Sequence, residues 1–540
     1  MPAERVTGGA PGVGMDRIVV HALCGICLAY PWLNPLAGGP STSVQPWLAS
    51  AACAALLVAL CGWARPRWPL ALWLAFAALG AAAAWLPALD AFAAVGGVAL
   101  VLAAAGLAPP RSHDDFARTI TLAWLSAAVA SSVLALLQYF DAAAPLAPFA
   151  SVAAAGEAYG NLRQRNQFAT LTAIGFAALL WLVATGWPWR RCALPLVLLA
   201  AAGAATASRT GAVEWIALAA FAATSRGSRR TEVAIAAAAG IVVFSLAAFS
   251  LPTLLYMATG IEGRSVFERF AQEAGCSSRR VLWSNVVHLI AQRPWTGWGW
   301  GELDFAHYMT LYPGLRFCDI LDNAHSLPLH LAVELGLPVA VLACAGLLWA
   351  LVRIAPWREA DPTRRLALGV LLVILAHSLL EYPLWYGPFQ IAFGLALGLL
   401  WGPRQAVSAA RANACAVAAA IALAAVAYAA WDYHRISQIY MAPEARDPDY
   451  RGDPLPKLRE SRLFRAQVQF AELTITPLTP ANARWTYDTA LAMLHYSPEP
   501  RIIEKLVESA TLLGEHEAAA AHLARYRAAF PREHADWARR

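Results

Sequence analysis

Residues 322–353 read DNAHSLPLHLAVELGLPVAVLACAGLLWALVR, and this stretch decides which kind of protein the chain is. It begins in the last part of the longest hydrophilic interruption of a strongly apolar chain, 252–334, and leads into an apolar run that ends at Arg353. Such a run predicts a helix, Leu327 to Arg353, that crosses a membrane. His325 then lies at the mouth of this helix, where an imidazole can take or give a proton near neutral pH.

The composition extends the membrane prediction to the whole chain. Its 540 residues are 59% hydrophobic and 14% charged, whereas soluble domains carry about 25% charged residues. Many of the 22 tryptophans stand at the ends of apolar runs, as in the aromatic belts of membrane proteins. The net charge of +6 is spread over short loops, which indicates a membrane topology rather than a nucleic-acid-binding surface.

The apolar runs predict an all-α, polytopic helical bundle of about 12–13 spans. The first run is followed by Asn34-Pro35 and is predicted to be a retained span rather than a cleaved signal peptide. The predicted spans lie near 17–34, 46–63, 69–86, 91–108, 119–139, 167–186, 192–207, 211–225, 233–251, 326–353, 366–381, 389–402 and 412–430.

The orientation follows from the distribution of arginine over the short loops. One alternating set of loops is basic and is predicted to be cytoplasmic, which places the C-terminus and the segments 140–166, 208–210 and 252–325 outside. Several arginines break this pattern, and they all fall on the outer side, which suggests a function. They are Arg163, Arg165, Arg209 and, in the long loop, Arg264, Arg269, Arg279, Arg280, Arg293 and Arg316.

Two outer segments are candidates for anion or sugar binding. Arg209 joins two short apolar runs, and a charge in such a turn is a functional candidate; the alternative is an arginine that reaches lipid headgroups. Residues 160–167, GNLRQRNQ, are rich in amide and guanidinium groups, which suit sugar hydroxyls and phosphate oxygens. Here the alternative is a helix cap supplied by Asn166.

Two further segments carry aromatic and acidic groups. Residues 297–301, GWGWG, offer aromatic faces for sugars or an anchor in the headgroup layer. Residues 381–386, EYPLWY, follow a predicted span. Glu381 is a candidate to orient a base or to bind a substrate hydroxyl. The alternative is that Glu381 and His377, four residues earlier, simply satisfy each other.

The cysteines and the missing motifs narrow the chemistry. Seven of the nine cysteines lie in apolar runs, whereas Cys276 and Cys318 lie in the long loop and can form a disulfide if that loop faces an oxidising compartment. The outward loops between spans contain no Asp-x-Asp or His-x-x-x-His motif, and the chain has no Gly-Lys-Ser/Thr loop. We therefore expect no metal, no cofactor and no nucleotide hydrolysis.

Motifs spread over about residues 120–402 carry a resemblance to a known family. They are GNLRQRNQ at 160–167, SRTG at 208–211, R-x-x-x-W with the later GWGWG at 279–301, and NAHS…VELG at 323–336 followed by EYPLW at 381–385. In this order and spacing the chain resembles the bacterial O-antigen ligase and polymerase superfamily. Within it, the chain is most similar to the protein O-oligosaccharyltransferases that glycosylate pilin-like proteins.

The resemblance implies a metal-independent, inverting transfer of a glycan from undecaprenyl diphosphate. His325 matches the essential histidine, and Arg209 matches the diphosphate-binding arginine. Arg279, by its spacing to Trp283, or the adjacent Arg280, matches the second arginine. Asn161, Gln164 and Asn166 match the amide-rich motif of the protein-glycosylating branch, which often has proline where this chain has Arg165. Weaker substrate-binding candidates are Asn161, Arg163, Gln164, Arg165, Asn166, Glu381 and Tyr382.

The implied location is the bacterial inner membrane, with the active site facing the periplasm. The predicted organisation is transmembrane helices in 1–140, further helices in 141–251 with an amide- and arginine-rich loop at 141–166, a large catalytic loop in 252–325, transmembrane helices in 326–430, and a helical, periplasmic domain in 431–540. Helices of the last domain are predicted near 458–473, 482–495, 499–513 and 515–529, where they bind a partner or cover the active face.

Three functions follow from these features. The first is transfer of the lipid-linked glycan to Ser or Thr of an exported, pilin-like protein. The second is transfer to lipid A core, or polymerisation of the glycan repeat, which shares the chemistry and differs in the acceptor. The third is transport of a polyprenyl-linked or other anionic substrate. Transport is disfavoured because the polar residues gather at one face of the membrane and no internal repeat of spans is visible.

Overall fold

The computed structural model describes residues 17–68, 73, 88–109, 112–263 and 275–539. Within those ranges the regular elements are helices, and extended pairing is limited to a bridge between Trp63 and Leu107. Six helices are long and apolar enough to cross a membrane, which confirms the predicted all-α, polytopic membrane fold. Apart from Trp73, the predicted span at 69–86 lies outside the described residues, as do Arg111, Arg264 and Arg269.

We number the described helices in chain order. Those that precede the long loop are α1 (Arg17–Leu33), α2 (Val44–Cys61), α3 (Ala88–Ala105), α4 (His113–Tyr139), α5 (Arg165–Ala184), α6 (Trp189–Ala205), α7 (Arg209–Ala223) and α8 (Arg230–Thr259). The loop and the return to the bundle contain α9 (Arg279–Gln292), α10 (Leu303–Met309), α11 (Leu327–Leu335), α12 (Leu337–Ile354), α13 (Pro362–Ser378), α14 (Gly387–Trp401) and α15 (Ala409–Ser437). The tail contains α16 (Leu455–Leu458), α17 (Arg465–Ile475), α18 (Ala483–Met493), α19 (Pro500–Leu512), α20 (His516–Ala529) and α21 (Pro531–Trp537).

Helix α5 forms the centre of the bundle. Its apolar window is 94% buried, and it packs against α4, α6, α7 and α13. Gly175 makes the approach of α4 close, because a Cβ there would lie 2.5 Å from Cβ of Ala128; small residues permit such packing in membrane bundles. Helix α12, by contrast, is only 6% buried, and its exposed Val341 and Leu342 form an apolar surface suited to lipid.

The prediction of a single helix over 326–353 is wrong, because the chain breaks at Gly336 between α11 and α12. Gly336 has a φ of +88°, and a Cβ on it would lie 2.3 Å from the carbonyl oxygen of Trp295. The adjoining loop packs here through backbone hydrogen bonds, from Leu337 N–H to Pro294 O and from Trp298 N–H to Val333 O. Helix α11 therefore packs with the long loop, in one apolar cluster with α9.

The preceding span also differs from its predicted end at 251. Helix α8 continues through Pro252 to Thr259, so the loop begins later than expected. Pro252 removes one backbone donor without ending the helix. The helix ends instead at Gly260, whose φ of +74° and N–H bond to Tyr256 O form a C-terminal cap.

The tail packs against the long loop. Its helices α18 to α20 lie within two residues of their predicted positions, whereas α17 begins at Arg465 and not at the predicted 458. Helices α17 to α20 share an apolar cluster with α10. The hydroxyl of Tyr308, on α10, lies 3.0 Å from Nδ1 of His522, and Arg525 donates to the carbonyl oxygen of Met309 at 3.1 Å. The tail is therefore in direct contact with the segment that carries the candidate histidine.

Candidate active site

The carboxylate of Glu381 is the meeting point of distant parts of the chain. Glu381 follows α13 in a turn closed by a hydrogen bond of 2.8 Å from its N–H to His377 O. One carboxylate oxygen, Oε1, accepts from Nδ2 of Asn166 at 3.0 Å and from the guanidinium of Arg279. The other, Oε2, lies 2.7 Å from Nδ1 of His325. The residues brought together come from α5, α9, the loop before α11, and the end of α13.

The charge state of Glu381 assigns the proton on its histidine partner. Burial pushes the pKa of this carboxyl upward, but the hydrogen bond from His325 and the charges of His325 and Arg279 outweigh it, so that its pKa lies below the ordinary value. Glu381 is therefore a carboxylate and can only accept hydrogen bonds. The proton of the contact therefore belongs to Nδ1 of His325, and in the neutral imidazole the lone pair that can take a proton is on Nε2.

The backbone holds His325 in an uncommon conformation. Its φ is +48°, the left-handed region that β-carbon-bearing residues seldom enter. The His325 N–H donates to Oδ1 of Asn323 at 2.8 Å, and the indole of Trp283 donates to the carbonyl oxygen of Ala324 at 3.1 Å. The ring of Tyr382 meets the imidazole edge to face, with centroids 5.1 Å apart. Glu381 and Tyr382 thus contact the imidazole, Asn323 and Trp283 hold the peptide bond that leads into His325, and the side chain stays 28% exposed.

Asn166 links the amide-rich motif to the turn that carries Arg209. Its Oδ1 accepts from Oγ of Ser208 at 2.6 Å, while its Nδ2 binds Glu381. Ser208 also caps α7, because its Oγ accepts from the N–H of Gly211 at 3.0 Å. Asn166 does not cap α5; Gln164 does, by accepting from the N–H of Gln167 at 2.6 Å.

The two candidate second arginines differ in position. Arg279 lies at the start of α9, half-buried, and pairs with Glu381. Arg280 is exposed on the same helix. Arg209 is the first residue of α7, also exposed, and adjoins Ser208. The structure therefore brings Arg279 into the cluster directly and Arg209 to its edge.

The remaining residues of the amide-rich motif are bonded within the protein. The buried Asn161 donates to the carbonyl oxygens of Leu33 and Phe149 at 2.8 and 2.9 Å. Arg163 donates to Pro35 O, and Arg165 pairs with Glu157 at 3.8 Å. Of this motif, the structure brings only Asn166 to Glu381 among the described contacts.

The interpretation that His377 and Glu381 satisfy each other is wrong for their side chains. Nδ1 of His377 lies 2.7 Å from Oγ1 of Thr170, inside the bundle, while the Glu381 carboxylate turns to Arg279 and His325. The direct hydrogen bond between the two residues is the one from the Glu381 N–H to the His377 carbonyl oxygen. Because a helical spacing of four does not reveal where a helix ends, the sequence could not separate the two roles.

A disulfide ties together the two parts of the loop that supply the site. Cys276 and Cys318 are joined, with their Cα atoms 5.5 Å apart. Cys276 lies just before Ser278, which caps α9 and so positions Arg279, while Cys318 lies a few residues before His325. In the described part of the chain, no three His, Cys, Asp or Glu side chains are grouped to hold a metal ion.

Sequence reasoning missed Thr170 and Glu214, two buried polar residues directly beneath the site. Glu214 lies in α7 and is fully buried, and Thr170 lies in α5. The signal was present for Glu214, because an acidic residue inside an apolar run is a functional candidate by default. Thr170 gave no such signal, since threonine is common in membrane helices.

Three family models match successive segments of the chain. Residues 158–183 match a model described as protein glycosylation ligase, 194–344 match O-antigen ligase, and 365–540 match virulence factor membrane-bound polymerase, C-terminal. Asn166, His325 and Glu381 each fall within a different one of these matches. These matches confirm the resemblance inferred from the motifs, and the family is of a glycosyltransferase type.

A curated relative supports the same grouping over a shorter segment. A general O-oligosaccharyltransferase of Acinetobacter baylyi (strain ATCC 33305 / BD413 / ADP1) is 28% identical over 144 residues. The matched segment covers 26% of this chain and 24% of the relative, so the chain spans about a quarter of the length of that protein.

Proposed function

We propose that this chain, which carries O-antigen ligase and protein glycosylation ligase domains, transfers a glycan from undecaprenyl diphosphate to Ser or Thr hydroxyls of exported, pilin-like proteins. The reaction takes place at the periplasmic face of the bacterial inner membrane. The observation that carries the proposal is the carboxylate of Glu381, which holds His325 and Arg279 together in one half-open cluster.

The geometry supports a base-assisted displacement. Nε2 of His325 removes the proton of the acceptor hydroxyl, and the acceptor oxygen forms a bond to the anomeric carbon of the glycan. The bond from that carbon to the diphosphate oxygen breaks, and its electron pair leaves with undecaprenyl diphosphate. Backside attack in a single step inverts the anomeric carbon. Glu381 stabilises the imidazolium that forms, and the Glu381 carboxylate itself is not protonated.

Arginines stabilise the leaving group. The diphosphate gains negative charge as the glycosidic bond breaks, and guanidinium groups suit its oxygens through paired hydrogen bonds. Arg209, exposed at the start of α7, and Arg279, half-buried beside Glu381, are the residues we assign to it. Arg279 shares its charge with Glu381, so a bound diphosphate competes with this carboxylate for the guanidinium.

The protein acceptor is favoured by two observations. The amide-rich segment lies in the match to the protein glycosylation ligase model, and the curated relative is named a general O-oligosaccharyltransferase. The second candidate, transfer to lipid A core or polymerisation of the glycan, is favoured by the matches described as O-antigen ligase and membrane-bound polymerase. Both candidates use the same cluster and differ in the acceptor.

The test expresses the chain in a bacterial strain that makes an undecaprenyl-diphosphate glycan and exports a pilin-like acceptor. The intact mass of the acceptor is measured with the wild type, with His325→Ala, and with His288→Ala as a matched control from the same loop. We expect a glycan-sized gain in mass with the wild type and His288→Ala, and none with His325→Ala. Glycan on lipid A core, or longer glycan chains instead, would support the second candidate, and no change of any glycan would refute transfer.

A further inference from the structure

Three polar side chains meet inside the bundle, directly beneath the contact between Asn166 and Glu381. They are Thr170 on α5, Glu214 on α7 and His377 on α13, and each is at most 1% exposed. Polar groups at such a depth are costly in a membrane protein and are retained where they serve a function. We call Thr170, Glu214 and His377 the lower polar layer.

The hydroxyl of Thr170 is the centre of this layer. Its Oγ1 lies 2.8 Å from Oε1 of Glu214, 2.7 Å from Nδ1 of His377 and 3.0 Å from the carbonyl oxygen of Asn166. A hydroxyl has one proton and two lone pairs, so it can serve three partners only if some of them donate. Oε2 of Glu214 is buried and meets no hydrogen-bond partner among the described residues.

The lower polar layer repeats the arrangement of the site above it. Ser208, Asn166 and Glu381 form an upper polar layer in which Asn166 is the central residue. Each layer takes one residue from α5, one from α7 or its cap, and one from α13 or the turn that follows. Thr170 lies one helical turn after Asn166, and His377 lies one turn before Glu381, to which its carbonyl oxygen is bonded at 2.8 Å.

This stacking makes the lower layer a brace for the upper one. The contact of Asn166 with Glu381 joins α5 to the end of α13, and it is kept only if these helices hold their register. One turn deeper, the bond of Thr170 to His377 joins the same two helices and the bond of Thr170 to Glu214 adds α7, at a fully buried position where hydrogen bonds are strengthened. Catalytic groups lose rate steeply when they shift by about 1 Å.

We propose that Thr170, Glu214 and His377 are positioning residues, which hold Asn166 and Glu381 at bonding distance and thereby fix the orientation of His325. The inference rests on the proposed function, because transfer of the glycan is its readout. The three residues touch no substrate and act through the upper polar layer. Their contribution falls on kcat rather than on the KM for the donor.

The first test compares isosteric and conservative replacements of Thr170. Thr170→Val keeps the shape and removes the hydroxyl, whereas Thr170→Ser keeps the hydroxyl. We expect Thr170→Val to lower kcat on the order of 10- to 100-fold with the donor KM nearly unchanged, and Thr170→Ser to restore most of the rate. The matched control is Thr172→Val, because Thr172 is equally buried on α5 but bonds to Ala169 O and Trp215 instead.

The second test replaces Glu214, and it tests the inference even if Thr170→Val does not fold. Glu214→Gln keeps an oxygen that accepts from Thr170, and Glu214→Leu removes it. We expect Glu214→Gln to retain most of the rate and Glu214→Leu to lose it. Equal loss in both variants would mean that the charge of Glu214, and not its hydrogen bond, is required, and would overturn the inference.

The controls separate this inference from the proposed function. If the wild type transfers glycan, His325→Ala does not, and Thr170→Val transfers at the wild-type rate, then the inference fails and the proposed function stands. If His325→Ala transfers at the wild-type rate, the assignment of His325 as the base fails, and if the wild type transfers no glycan, the proposed function itself fails. Apparent melting temperatures of all variants in detergent identify any loss of rate that comes from unfolding.

Discussion

Nδ1 of His325 lies 2.7 Å from Oε2 of Glu381, and this contact determines which nitrogen of the imidazole is free to react. The residues are 56 positions apart in the chain and come from the long loop and from the end of α13. Because Glu381 also binds Asn166 and Arg279, a change at this one carboxylate affects every part of the site.

Replacement of Glu381 by glutamine is expected to reduce kcat on the order of 100-fold while the protein stays folded. Glutamine has a similar shape and still accepts hydrogen bonds, but it carries no charge to stabilise the imidazolium or to pair with Arg279. Initial rates of glycan transfer, with Leu379→Ala as an exposed control from the same turn, measure the effect. A wild-type rate in Glu381→Gln would show that the carboxylate does not support the base.

Alanine replacements of two asparagines in the amide-rich motif are expected to have different effects, one on the rate and the other on stability. Asn166→Ala breaks the bonds to Ser208 and Glu381 and should lower kcat, with a small change in melting temperature. Asn161→Ala removes the donor to the carbonyl oxygens of Leu33 and Phe149, which costs about 0.5–1.5 kcal/mol of stability for each hydrogen bond lost. Parallel measurements of rate and apparent melting temperature test this; the reverse pattern would make Asn161 the substrate-binding residue.

The long loop is expected to lose stability as the pH rises from about 4 to about 8, because of Asp304. Burial, helped by the nearby Asp322 and Glu302, raises the pKa of the Asp304 carboxyl to about 8, against about 3.9 in the unfolded chain. Between these values the unfolded chain binds fewer protons than the folded one, so stability falls as pH rises, by up to about 1.4 kcal/mol per pH unit.

Apparent melting temperatures between pH 5 and pH 9 test this expectation. Asp304→Asn, which cannot ionise, should flatten the profile and be more stable than the wild type near pH 8. Asp319→Asn, exposed in the same loop, is the control and should follow the wild-type profile. A wild-type slope in Asp304→Asn would show that another group causes it.

Removal of the disulfide is expected to destabilise the loop and to reduce transfer. Cys276 and Cys318 are 42 positions apart, and closing a loop of this length stabilises a fold by about 2–4 kcal/mol. The double replacement of both cysteines by serine should lower the melting temperature and the rate together, because the bond ties the start of α9 to the segment before His325. Cys344→Ser, an exposed free cysteine, is the control, and equal behaviour of the two variants would contradict the expectation.

The helices and the membrane class could be predicted because long apolar runs have few alternatives to a buried or lipid-facing helix. The central α5 and the tail helices α18 to α20 lie within two residues of the positions expected from the sequence. Residue chemistry named His325, Arg209 and Glu381 as candidates, and the resemblance to a family assigned the roles of His325 and Arg209. Chemistry alone left a structural alternative open for the amide-rich segment and for Arg209.

The contacts that converge on Glu381, and the lower polar layer, could not be predicted from the sequence. Both depend on which face of each helix points inward, and the almost uniformly apolar α5 carries no periodicity that reveals it. Glu381 also gains its role from Arg279, which is 102 positions away. The break at Gly336 was not predicted for another reason: hydropathy carries no information about backbone dihedral angles.

Gly336 is therefore the position where adding a single methyl group should disrupt the junction between the long loop and α12. With a φ of +88° the residue favours glycine, and a Cβ would also lie 2.3 Å from the carbonyl oxygen of Trp295, a backbone atom that cannot rotate away. Gly336→Ala should cost at least about 1–3 kcal/mol of stability from the conformation alone. It should also lower transfer, because α11 begins right after His325. Gly346→Ala, in α12, has open space around its Cβ and should be neutral or stabilising. Apparent melting temperatures and transfer rates of Gly336→Ala and Gly346→Ala test this prediction. Equal stability of the two variants would mean that α11 and α12 tolerate a continuous helix.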